Sequence, residues 1–104
     1  MNLVEISGTV SQEPSERVLA DDRTVLNWRI KVLRDESGSD SVPCVLELSQ
    51  VPNSVITKVR NLEIGQSVAI SGQIRSRFWQ SGGASSSRLE VEVHSLKKVS
   101  KQNL

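Results

Sequence analysis

Five stretches of alternating apolar and polar residues, and one helix-periodic stretch between the third and fourth, predict an all-β domain with one short helix. At 104 residues the chain is the size of one domain. This element order is that of the OB-fold, a five-stranded Greek-key barrel, here with its helix between strands 3 and 4. The domain is expected over residues 1–100, followed by a short polar tail at 101–104.

The first strand is expected over residues 3–10, "LVEISGTV". Val4, Ile6 and Val10 share one face there, and Glu5, Ser7 and Thr9 share the other. "SQEPSERVLADDR" carries Pro14 and paired acids and reads as a connection, with a short extended piece at 17–19. In "TVLNWRIKVLR", residues 24–34, Leu26, Trp28, Ile30 and Val32 face one way and Asn27, Arg29 and Lys31 the other. Trp28 is therefore assigned to the core. "DESGSDS" is a turn, and "VPCVLELSQ", residues 42–50, is the third strand, with Pro43 near its start.

The period changes in "PNSVITKVRNL", where Val55, Ile56, Val59 and Leu62 follow helical spacing. Asn53 or Ser54 is the expected N-cap, and Gly65 follows the end. Alternation returns in "QSVAISGQIRSRFW", with Val68, Ile70, Gly72, Ile74, Ser76 and Phe78 on the core face. Arg75, Arg77 and Trp79 fall on the other. "QSGGASSS" reads as a flexible turn. In the last strand, "RLEVEVHSLKKV", Leu89, Val91 and Val93 oppose Glu90, Glu92 and His94.

Composition narrows the function. Hydrophobic content of 37% and charged content of 24% suit a folded globular protein. No apolar run approaches the roughly 18 residues of a membrane-spanning helix, and "MNLVEISG" has no signal-peptide pattern, so no membrane partner is expected and the location is cytoplasmic. Cys44 is the only cysteine, which excludes an internal disulfide and a cysteine-cluster metal site. Net charge is only +1, so any basic surface must come from the placement of charges rather than from their sum.

The chain has three aromatics, Trp28, Phe78 and Trp79, and two of them stand in "IRSRFWQSGG". Strand parity puts Trp79 outward beside Arg75 and Arg77. Cations for phosphates and a flat apolar ring for unpaired bases are what single-stranded nucleic acid requires. From these residues alone, the same face also fits a subunit interface or a solvated surface.

The chain resembles the bacterial single-stranded DNA-binding protein family. "NLVEISGTVSQEP", "VLNWRIKV", "IGQSVAISGQIRSRFW" and "RLEVEVHSLKKV" carry the resemblance, the third most closely. It implies non-sequence-specific binding of single-stranded DNA, in replication, recombination or repair. It places Trp79 on a base-stacking position and Arg75 and Arg77 on basic positions, with Arg29, Lys31 and Arg88 completing the expected binding set. The family's other stacking aromatics are missing from "LRDESGSD" and from the third strand, and the residues present end at "SKQNL" without an acidic, Phe-ended tail. The chain thus resembles a short, divergent member related to the primosomal replication protein N. The resemblance also implies a homodimer or homotetramer, joined through the first strand. The alternative is an OB-fold assembly module that has lost DNA affinity.

No enzyme is expected. Cys44 lies in a strand between Pro43 and Val45 with no motif placing a base and an orienting acid beside it, and His94 reads as a surface or interface histidine. Glu90 and Glu92 share a strand face, where paired acids are usually solvated or matched with bases. No phosphate loop or metal-ligand spacing occurs. Neither a cofactor, a metal nor a small-molecule substrate is expected.

Overall fold

The structure, a computed structural model, describes residues 1–99. The tail expected at 101–104 lies outside the described residues. Five strands, β1 (Val4–Val18), β2 (Thr24–Leu33), β3 (Ser39–Glu47), β4 (Ser67–Ser81) and β5 (Ala84–Lys98), close a barrel in the order β1-β2-β3-β5-β4. Helix α1 (Asn53–Arg60) joins β3 to β4 after a single 3-10 turn at Leu48–Gln50. All neighbouring pairs are antiparallel except β3 with β5, which is parallel and short, from Cys44↔Val91 to Val45↔Glu92. The expected fold, with its helix between the third and fourth strands, is the observed one.

The core follows the alternation. Leu26, Trp28 and Ile30 of β2, Cys44 and Leu46 of β3, Val68 and Ile70 of β4, and Val91 and Val93 of β5 are buried inside the barrel. Val59 of α1 and Leu62 just beyond it close one end. On β5 the buried positions run Val91, Val93, Leu96. The step from two to three follows from a bulge, because Ser71 pairs Ser95 whereas Gly72 pairs Val93.

Besides β3, which runs Ser39–Glu47 rather than 42–50 and yields its last three expected residues to the 3-10 turn, three boundaries differ from expectation. β1 does not stop at Val10 but continues through the segment read as a connection. Register shifts between Val10 and Gln12, and between Gln12 and Ser15, leave Pro14 in a bulge, where its missing N–H costs no ladder hydrogen bond. The same bulges coil β1, so that Val4–Thr9 pair with β4 and Thr9–Val18 with β2. Second, α1 is not capped by Asn53 or Ser54. Pro52 occupies the N-cap, and its carbonyl accepts from the Val55 and Ile56 amides. A pre-set φ makes proline suited to the entry of a helix.

Third, β4 and β5 extend past the barrel as a hairpin paired out to Ser81↔Ala84, turned by Gly82 and Gly83, both at positive φ. The expected flexible segment "QSGGASSS" shrinks to that two-residue glycine turn. Beyond Gly72, β4 has no pairing with β1, and before Val91, β5 has none with β3. The hairpin is therefore a two-stranded ribbon with no opposing wall, and the described chain is elongated, 50 × 34 × 29 Å. Phe78, assigned to the core by parity, stands 75% exposed. Leu89 on the same face is exposed as well.

Candidate nucleic-acid interface

The ribbon keeps the pleat of β4 and β5, so its two faces are distinct. On the face continuous with the outside of the barrel, Arg75 pairs across with Glu90, Arg77 with Arg88, and Trp79 with Ser86. Trp79 is 41% exposed and Arg77 is half-buried. Arg77, Trp79 and Arg88 line a shallow recess of about 260 Å³. Two guanidiniums directly opposed on a strand pair repel each other. Among the described residues neither Arg77 nor Arg88 has a carboxylate partner. An aromatic ring beside two unneutralised cations is a place for a planar apolar group attached to an anion.

Toward the barrel the same face continues into a groove of about 170 Å³ that reaches both Arg75 and Arg77 on one side and Arg17 and Arg23 on the other, with Asn27 and Val45 on its floor. Here two of the four arginines, Arg23 and Arg75, are held by acids. Arg23 donates from Nε to Asp21 (2.7 Å) and from Nη1 to Glu47 (2.9 Å). Arg75 donates from Nη1 to Glu92 Oε2 at 2.9 Å. Glu92 Oε1 also accepts from Gln73 Nε2 at 2.7 Å and lies 3.2 Å from His94 Nε2. Partial burial pushes the Glu92 carboxyl up, but the hydrogen bonds from Gln73 and His94 and the charge of Arg75 outweigh it and hold it below the usual carboxylate range. Glu92 thus remains an anion that orients Arg75. In an OB-fold, ligands are taken by the strand 2–3 face and by the loops joining strands 1–2 and 4–5. Arg17 and Arg23 flank the first of these loops, and Trp79 and Arg88 lie near the second.

The single-strand binding protein family matches residues 1–99. The chain belongs to this family. Among solved structures it is similar to the dimeric N-terminal domain of PriB from Thermoanaerobacter tencongensis, with a TM-score of 0.70 at 23% identity, over 95% of this chain and 97% of that one. It is also similar to Plasmodium falciparum SSB in complex with ssDNA, with a TM-score of 0.77 at 18% identity, covering 96% of each chain. A third similar structure is the small single-stranded DNA-binding protein of Streptomyces coelicolor, with a TM-score of 0.66 at 16% identity, over 95% of this chain and 96% of that one. At these identities the likeness establishes the OB-fold. Comparison with curated protein sequences returned no match.

Within this family fold, four of the six residues singled out from the sequence come together: Arg75, Arg77 and Trp79 on β4 and Arg88 across from them on β5. The other two sit apart. Arg29 is on β2, with β3 between it and β5 of the ribbon, and its Nε donates to Ser41 Oγ at 2.8 Å. Lys31 is exposed and lines a separate recess with Ser7, Gly8, Thr9 and Leu33. Trp28 is buried, as parity required. Among the described residues its indole N–H has no hydrogen-bond partner. Cys44 is buried in the core, and burial pushes its thiol up to about 12, so it is an inert apolar side chain rather than a nucleophile.

Two arginines escaped the sequence reading. Arg17 and Arg23 lie in the segment taken for a connection, and the acids around them, Asp21 and Asp22, made it look like a solvated loop. The signal that finds them is positional: they flank the loop between strands 1 and 2, one of the ligand-carrying loops of the OB-fold.

Proposed function

We infer that this protein binds single-stranded DNA with little sequence preference, in replication, recombination or repair. Trp79 stacks a base, and Arg77 and Arg88 neutralise the phosphates beside it. The strand then follows the groove past Arg75 toward Arg17 and Arg23. The observation that carries this reading is the Arg77–Arg88 pair. Directly opposed like charges cost stability in a strand pair, roughly 0.2–1 kcal/mol, and this pair sits beside the outward tryptophan. A polyanion between the two removes the repulsion. Sequence tolerance follows from stacking, since every base has a π-face.

Family membership supports DNA as the partner, and two of the similar structures are an SSB in complex with ssDNA and a small single-stranded DNA-binding protein. The reading assigns a binding role and no catalysis, in the compartment that holds DNA, which in a bacterial cell is the cytoplasm. A homodimer or homotetramer fits as well. Val4–Gly8 of β1 pair with β4 on one side only, which leaves a strand edge for a second copy to cover, and the similar PriB domain is described as dimeric.

The test is a titration of oligo-dT followed by tryptophan fluorescence at several salt concentrations. Arg17, Arg77 and Arg88 each neutralising one phosphate give a log–log salt slope of about −2 per subunit, from roughly −0.7 per phosphate. Arg88→Gln should reduce that slope by about 0.7 while leaving the fold as stable as before or slightly more so, since it relieves the repulsion from Arg77. Binding insensitive to salt, or an Arg88→Gln protein that is destabilised yet binds normally, refutes the reading. A monomeric mass at micromolar concentration refutes the oligomer.

A further inference from the structure

Consecutive strand residues point to opposite faces, so Phe78 and Trp79 stand back to back on the ribbon. The Phe78 face carries Ile74 and Ser76 on β4 and Ser87 and Leu89 on β5. Phe78 and Leu89 are 75% and 61% exposed. The residue across from Phe78 is Ser87 and the one across from Trp79 is Ser86, and a serine is too small to cover either ring. We propose that Phe78 is a second stacking platform, and that one DNA strand crosses an edge of the ribbon to engage both of its faces. This rests on the reading above that the Trp79 face takes single-stranded DNA.

Three observations select DNA rather than a second copy of the chain as the occupant of the Phe78 face. The first is the state of the edges. Among the described residues, the only strand partner of β4 from Arg75 to Ser81 is β5, and the only partner of β5 from Ala84 to Glu90 is β4. Each outer edge therefore carries backbone N–H groups without a ladder partner, and such groups donate readily to phosphate oxygens. The second is charge. Between Ile74 and Val91 the ribbon has three arginines, Arg75, Arg77 and Arg88, against one carboxylate, Glu90; Glu92 holds Arg75, which leaves Arg77 and Arg88 unneutralised among the described residues. An edge of that sign repels the same edge of another copy and attracts a polyanion. The third is continuity: the two rings are neighbours in sequence, near a tip of two glycines around which nothing lies within 4 Å of where a side chain would begin. A strand that leaves Trp79 over the edge arrives at Phe78 without crossing any other element.

The test uses Phe78→Leu, which keeps an apolar side chain at an exposed position and removes the flat ring. Wild type and variant are titrated with oligo-dT of about 4 and about 16 nucleotides, spanning the site sizes of OB-folds. The short strand reaches the Trp79 face alone, so both proteins should quench Trp79 fluorescence with equal affinity. With the long strand, wild type should gain at least about fivefold over the variant, the lower end of what one stacked base contributes. An equal gain in both proteins overturns the second platform and leaves the Trp79 site standing. No quenching of wild type by either strand overturns the underlying reading, and the platform with it. A variant whose oligomeric mass differs from wild type overturns the proposal in favour of a protein contact on this face.

Discussion

Gly72 is where the barrel ends and the ribbon begins, and replacing it with alanine tests that junction. A Cβ built there lies 1.8 Å from the Glu92 carbonyl oxygen, 2.8 Å from its carbon and 3.1 Å from Val93 Cα. All three are backbone atoms, so no side chain can rotate away. Restoring an ordinary contact of about 3.2 Å to the oxygen requires β4 and β5 to separate by about 1.4 Å, against an inter-strand spacing of about 4.8 Å. That breaks the ladder on both sides of the bulge. Two lost hydrogen bonds account for about 1–3 kcal/mol. Loosened packing of Ile70 and Val93, both buried, adds a similar amount, within the roughly 1–3 kcal/mol usual for overpacked sites. The expected loss is about 3–5 kcal/mol, a large part of the 5–15 kcal/mol that holds a typical domain. Urea unfolding of a graded series measures it. At Gly8 the corresponding Cβ meets Lys31 O at 2.6 Å, so Gly8→Ala should cost less than Gly72→Ala. At Gly82 nothing lies within 4 Å and only the φ of +59° opposes alanine, for about 1–2 kcal/mol. Gly72→Ala should also weaken DNA binding, although it alters no binding side chain, because Arg75 and Trp79 lose their alignment with β5. A Gly72→Ala protein as stable as Gly82→Ala would refute the close approach and the bulge that creates it.

Trp79→Ala should lower affinity for oligo-dT by between about fivefold and about 150-fold, the range for one lost base–aromatic stack, with buried Trp28 remaining as an internal fluorescence reference; unchanged affinity would remove Trp79 from the interface. Phe78→Ala should alter unfolding stability by no more than about 0.5 kcal/mol, as for surface positions, whereas a loss of roughly 3–5 kcal/mol would mean that the ring is buried after all. Cys44, with its thiol raised from 9.0 to about 12, has about a thousandfold less thiolate than an unfolded thiol at the same pH, so a disulfide reagent at neutral pH should label it only after denaturation. The sign for stability follows: above pH 9 the unfolded thiol ionises and the native one does not, so this residue's contribution falls as pH rises from about 9 to about 12. Cys44→Ala should flatten that part of the alkaline unfolding profile, and an unchanged slope would refute the burial argument.

Period-two alternation determined which residues can face the same way, and for β2 that sufficed. Leu26, Trp28 and Ile30 are buried because β2 pairs along its length with β1 on one side and β3 on the other. The helical period at Val55, Ile56, Val59 and Leu62 likewise placed α1 between β3 and β4, and with it the OB-fold. The alternation of β4 also put Arg75, Arg77 and Trp79 on one face. Only the tertiary structure decided what lies opposite each face. Ile70 and Phe78 share a parity, yet one is buried and the other is 75% exposed, because β1 stops pairing with β4 at Gly72 and no wall stands over the ribbon. Arg88, already in the expected set, was set directly opposite Arg77 by the register of the β4–β5 hairpin. Arg17 joined the site because bulges at Ser11 and Pro14 keep β1 extended where the composition suggested a loop. Burial depends on which strands end where. Those ends are set by pairing between segments distant in sequence, whereas periodicity reports only the geometry of a single strand.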